Sequence, residues 1–97
     1  MSVTEARSPA AAFAVDRAWR LNPQVALRDE SFGALAYHYG NRRLVFLKSR
    51  TLVTLVSSLG EYPSAAAALG ACVPEGSRAA YERALARLAA SEVIDAC

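Results

Sequence analysis

A single histidine, His38, two cysteines, Cys72 and Cys97, and an adjacent carboxylate pair, Asp29-Glu30, are the residues of this 97-residue chain best suited to acid–base, nucleophilic or metal chemistry. An imidazole acts as a base or ligand when a second group orients it, and a thiol reacts as its thiolate beside positive charge. No such partner is legible. The cysteines are far apart and form neither Cys-x-x-Cys nor a Cys/His cluster, so no structural metal site is expected. His38 lies in an alternating run and reads as an ordinary sheet residue. Asp29-Glu30-Ser31 reads as solvated turn chemistry. There is no Gly-x-Ser-x-Gly elbow and no phosphate loop, the five glycines being dispersed among turns. The expectation is a non-enzyme with no cofactor.

The chemistry that remains belongs to the backbone. The run Phe32 to Lys48 reads as two β-strands, about Gly33 to Tyr39 and Leu44 to Leu47. Gly40-Asn41 between them reads as a two-residue, glycine-first hairpin turn. Earlier, Trp19, Leu21, Val25 and Leu27 alternate with Arg20, Asn22, Gln24 and Arg28, the period of a half-buried strand. Pro23 lies inside that run and confines it to an edge or a bulge. In a three-strand meander the first and third strands are edges, and an open edge can take up another extended chain. The third strand, Leu44-Val45-Phe46-Leu47, has no proline and no charge, so a proline placed at Val45 is the natural probe of it. Arg42, Arg43 and Lys48 flank it, either as gatekeepers against aggregation or as attractors of an acidic peptide.

A two- or four-residue loop sets Tyr37 opposite Leu44 and Leu35 opposite Phe46. These four are taken as the core face, with Ala34, Ala36, His38, Val45 and Leu47 on the other. A three-residue loop would reverse the assignment.

After Lys48 the period becomes helical. Ser49 caps a first helix carrying Leu52, Val53, Val56 and Leu59, stopped by Gly60. Tyr62-Pro63-Ser64 opens a short Ala-rich helix ending near Gly70. Beyond Pro74-Glu75-Gly76, Ser77 caps a third, with Ala80, Tyr81, Ala84, Leu85 and Leu88 on one stripe and Arg83 and Arg87 on its wet side. Residues 1–18 read as a flexible N-terminal tail and 19–94 as one domain. Three strands followed by three helices make an α+β fold, a three-stranded antiparallel sheet with helices on one face, winged-helix-like. A body this small is marginally stable, so a bound partner would add noticeably to its stability. No run approaches the ~20 apolar residues of a membrane span. Two thiols and no signal-like N-terminus suit a reducing cytoplasm.

A groove between the third helix and the third strand would join backbone hydrogen bonds to apolar pockets, as strand addition requires. Tyr81 and Leu85 would form its wall and Arg78 its boundary, unless the first two are core residues only. A different class of reading takes Arg78, Arg83 and Arg87 as phosphate contacts of a winged-helix DNA-binding domain. A formal charge of +2 is thin for that role. A third is a homodimer closed through the third-strand edge when no peptide is bound.

The segments Trp19-Arg20-Leu21, Pro23 to Arg28, Phe32-Gly33-Ala34-Leu35 and Tyr37 to Leu44 resemble the mycofactocin peptide-chaperone family MftB. Its members are stand-alone recognition-element domains, similar to PqqD, used in making ribosomally synthesised and modified peptides (RiPPs). The resemblance extends more weakly over Trp19 to Ile94. It implies a sheet of three strands followed by three helices, and capture of a precursor's leader as an added strand beside the third strand, against the third helix. Carried onto this chain, the peptide-binding positions are Arg43, Leu44, Val45, Phe46, Leu47 and Lys48, and by topology Arg78, Tyr81, Glu82 and Leu85. The implied partners are the precursor peptide and a radical SAM maturase that modifies its C-terminal Val-Tyr, with no nucleic acid and no membrane. Any iron–sulfur chemistry would lie in the maturase, since this chain has no Cys-x-x-x-Cys-x-x-Cys.

Overall fold

The computed structural model describes residues 12–97. The alternating run that reads as one strand is two. β1 (Trp19–Leu21) and β2 (Val25–Glu30) are separated by a turn at Asn22-Pro23-Gln24. Val25 N donates to Asn22 O at 2.9 Å, and the Asn22 side chain accepts from Gln24 N at 2.8 Å. Pro23 therefore breaks the strand instead of blunting an edge within it, because it pre-sets a turn and cannot donate to a ladder. β2, β3 (Gly33–His38) and β4 (Leu44–Leu47) form the expected three-stranded antiparallel sheet. β1 pairs instead with a strand absent from the sequence reading, β5 (Ile94–Ala96), setting Trp19 opposite Ala96 and Leu21 opposite Ile94.

The hairpin register is as expected: Tyr37 faces Leu44, and Leu35 faces Phe46. Its turn is longer. His38 N donates to Arg43 O at 2.9 Å and Arg42 N to His38 O at 2.7 Å, giving a four-residue loop whose left-handed residue is Arg42, φ 63°, not Gly40. The face assignment is reversed. Ala34, Ala36, His38 and Leu47 are buried, whereas Leu44 and Phe46 are each 54% exposed. Helix α1 (Arg50–Ser58) packs on β3 and β4. The small side chains of Ala34 and Ala36 leave room for it, and Leu55, Val56 and Leu59 complete the buried layer. Size alone was the wrong guide: in so thin a domain, alanines mark where a helix approaches closely.

The three helices follow the sheet in order. Ser49 Oγ accepts from Leu52 N at 3.0 Å, capping α1, which ends in a 3-10 turn over Leu59–Glu61. Helix α2 (Ala65–Cys72) runs past Gly70. Its first N–H groups are all satisfied. Ala65 N and Ala66 N donate to Arg17 O and Val15 O, Ala67 N to Ser64 Oγ, and Ala68 N to Ser64 O. Two of those partners, Arg17 O and Val15 O, lie in residues 12–18, which pack against the domain. Phe13 stacks on Trp19 at 5.1 Å, and Trp19 Nε1 donates to Ala14 O at 2.9 Å. The rest of the expected tail, residues 1–11, lies outside the described residues.

Helix α3 (Arg78–Ala90) buries Leu85, Leu88 and Ala89, and Ser77 makes no side-chain cap to it. A 3-10 turn over Glu75–Ser77 feeds it instead. Glu92 N to Ala89 O and Val93 N to Leu88 O close α3 in a Schellman motif, with Glu92 at φ 65° in the place usually held by glycine. This turn sends Val93 and Ile94 into the core and starts β5.

Candidate functional site: an open strand edge and its cleft

Strand β4 is an edge of its sheet. In an antiparallel pair, hydrogen-bonded residues alternate with residues whose backbone groups point away. The bond from His38 N to Arg43 O sets the phase, so Val45 and Leu47 bond to β3, opposite Ala36 and Ala34. The N–H and C=O groups of Leu44 and Phe46 therefore face the open side. Val45, the proline probe expected from the sequence, is thus committed to its own sheet, and Phe46 takes its place. The other edge, β2, contains no proline; its Arg28-Asp29-Glu30 end carries the charge that protects an edge.

Beside the C-terminal end of β4, Lys48, Ser49 and Leu52 face Ala80, Tyr81 and Ala84 across an apolar cleft of ≈ 170 Å³. Tyr81 is half-buried, and its hydroxyl lies 3.0 Å from Ser49 Oγ. That contact ties α3 to the N-cap of α1 and sets the width of the cleft. Ser49, Leu52, Ala80 and Ala84 were not singled out as peptide positions. Their signal lay in helical spacing around Tyr81 and in the cap that follows β4.

The structure divides the sequence-derived positions. Arg43, Leu44, Phe46 and Lys48 are exposed along the edge, and Val45 is half-buried. Leu47 and Leu85 are wholly buried, so they shape the site from beneath and present no surface to a ligand. Glu82 lines a different depression, with Phe13, Ala79, Arg83 and Ala86. Arg78 donates from Nε to Val73 O at 2.9 Å and from Nη2 to Gly70 O at 3.2 Å, closing the end of α2. It belongs neither to the cleft nor to a phosphate-facing row. Of the four α3 positions, only Tyr81 reaches the cleft.

The residues that opened the sequence reading have local roles. His38 is 4% exposed, and its Nδ1 accepts from Gly40 N at 3.0 Å and Asn41 N at 3.1 Å. Its Nε2 lies 3.3 Å from Asn22 Nδ2, which also donates to Glu92 O at 2.9 Å. His38→Ala should lose about 2 kcal/mol in urea denaturation, because two turn N–H groups lose their acceptor and a buried ring is removed. Cys72 Sγ lies 3.8 Å from Ser58 Oγ and 3.9 Å from the Tyr62 hydroxyl. The contact with Cys72 pushes the Tyr62 phenol above its usual range. Among the described residues, no three His, Cys, Asp or Glu side chains come together as a metal site, and no helix is long and apolar enough to cross a membrane. The ion pairs among them, Arg20–Asp95 at 3.6 Å and Arg28–Glu30 at 2.9 Å, leave Arg42, Arg43 and Lys48 without a carboxylate.

Comparison with known proteins gives the family. The family described as Peptide chaperone MftB matches residues 18–95. A "Peptide chaperone MftB" of Mycobacterium tuberculosis is 46% identical over 89 residues, covering 91% of this chain and 82% of the relative. One from Mycolicibacterium smegmatis is 48% identical over 83 residues, covering 84% and 81%. No solved structure matches. A match across nearly every element of the fold, together with relatives near half identity, assigns the family: the chain belongs to the peptide chaperone MftB family.

Proposed function

We propose that the chain is a non-catalytic, cytoplasmic peptide chaperone that binds the mycofactocin precursor by adding it as a strand to β4, and presents it to a radical SAM maturase. The observation that carries this reading is the phase of the β4 ladder. Leu44 and Phe46 offer outward N–H and C=O groups on a strand that ends at the Tyr81 cleft. An added strand gains affinity from those backbone groups, while the side chains on one of its faces meet the cleft. Arg42, Arg43 and Lys48 favour a precursor segment carrying carboxylates. Relatives bearing the name peptide chaperone support the class of ligand.

Amide hydrogen exchange tests the mode directly. In the free protein Leu44 and Phe46 N–H should exchange fast, and Val45 and Leu47 slowly. Saturating precursor should slow Leu44 and Phe46 alone among these four. Protection appearing at Leu27 and Asp29 on the β2 edge, or at neither edge, would refute strand addition at β4.

A further inference from the structure

The outer face of the β2–β3–β4 sheet is a second surface, distinct from the peptide edge. Its cross-strand rows are Arg28–Leu35–Phe46 and Ala26–Tyr37–Leu44. The most exposed large apolar side chains gather on it. Phe32, 41% exposed, stacks on Phe46 at 5.7 Å, and Tyr39, 63% exposed, meets Tyr37 edge-on at 5.1 Å. The β2 margin is closed by the Arg28–Glu30 pair. From strand spacing and rise, such a face measures on the order of 300 Å². That is the size of the largest apolar patch on a typical monomer, which is often a functional one.

The charges around the patch narrow what covers it. Arg42 and Arg43 stand at the hairpin end, and Lys48 and Arg50 at the other, with Arg50 Nη2 3.4 Å from Glu30 O. A second copy stacked face to face, or paired edge to edge by a two-fold axis, would lay the Arg42-Arg43 end of one over the Lys48-Arg50 end of the other. Like charges within a Debye length of about 8 Å oppose that arrangement. Residues 1–11 offer only Met1 and Val3 as large apolar groups, too little to match four rings and two leucines, and with one Glu and one Arg they bring no net negative side-chain charge to the cationic flanks. The middle of the face, Leu35 and Tyr37, is half-buried between the strands, a shallow surface that a folded protein covers better than a bilayer does. A folded protein presenting apolar side chains between carboxylates satisfies both the patch and its flanks. Roughly 300 Å² is the apolar centre of a standard interface of about 800 Å² per partner, with the cations as its polar rim.

We propose that this outer face docks the acidic-rimmed surface of a folded partner while β4 holds the peptide. The proposal rests on the preceding reading for the partner's identity, the radical SAM maturase. The test uses the full chain, purified maturase and precursor, with Phe32→Ser/Tyr37→Thr as the face variant and Arg50→Glu, at a flank not assigned to the peptide, as the charge variant. Each variant should melt as a monomer and bind precursor by calorimetry as the wild type does. The face variant should lose about tenfold or more in maturase affinity by biolayer interferometry. Arg50→Glu should weaken maturase binding and flatten its salt dependence. Wild-type affinity for maturase in both variants overturns the proposal while leaving strand addition intact. So does loss of binding only to vesicles of equal parts phosphatidylcholine and phosphatidylserine, which would make the face a membrane surface. A wild-type chain that binds precursor but no maturase refutes the presenting role itself, and this surface with it.

Discussion

Gly33→Ala is expected to lose about 4 kcal/mol of folding stability, most of what a domain this small possesses. Gly33 sits at φ +148°, and a Cβ added there would lie 2.1 Å from Leu47 O and 3.0 Å from Ser49 N. Both atoms are backbone, so no side chain can swing away. Left-handed strain of about 1–3 kcal/mol adds to an overpacking term of similar size. The displaced atoms belong to the end of β4 and the cap of α1, so the substitution should also disturb the peptide edge. Urea denaturation measures the loss. Gly76→Ala, whose Cβ meets nothing within 4 Å, is the control and should stay within about 0.5 kcal/mol of wild type. Equal stabilities for the two variants would show that β3 and β4 are not held as close as described.

Phe46→Pro should weaken precursor binding about 100-fold, against a few-fold for Phe46→Ala. Both remove the exposed ring, but only proline removes an N–H that points away from β3. Its loss leaves the guest strand's carbonyl unpaired, worth about 1–3 kcal/mol, and the pyrrolidine ring also obstructs close approach. Because the lost N–H bonds nothing within the sheet, Phe46→Pro should melt only a few degrees below Phe46→Ala. Val45→Pro should behave in the opposite way, losing its ladder bond to β3 and destabilising the fold before peptide enters the question. Calorimetry on folded samples, paired with thermal melts, separates the two. Equal affinities for Phe46→Pro and Phe46→Ala would count decisively against backbone docking at this edge.

These expectations depend on a ladder phase that the residue pattern did not contain. The pattern gave the pairing, Tyr37 with Leu44 and Leu35 with Phe46, because strand periodicity and an even loop determine which residues oppose one another. It could not say which face the helices would cover. Leu35, Tyr37, Leu44 and Phe46 were rightly grouped together, yet they form the solvent face, since α1 lies on the small side chains of Ala34 and Ala36. The same limit applies to the site. Tyr81 was legible from its helical stripe, whereas Arg78 turned to the end of α2, a choice made by distance and not by sequence spacing.

Periodicity and turn residues by themselves determined three sheet strands followed by three helices, the Ser49 cap and the strand register, and the residue motifs between Trp19 and Leu44 carried the family resemblance. These are local properties, written in period, turn residues and side-chain type. The break at Pro23, the pairing of β1 with β5, the anchoring of residues 12–18 and the inward turn of Leu47 and Leu85 were decided only in three dimensions. Each depends on contacts between segments distant in sequence, where burial and hydrogen-bond satisfaction outweigh local preference.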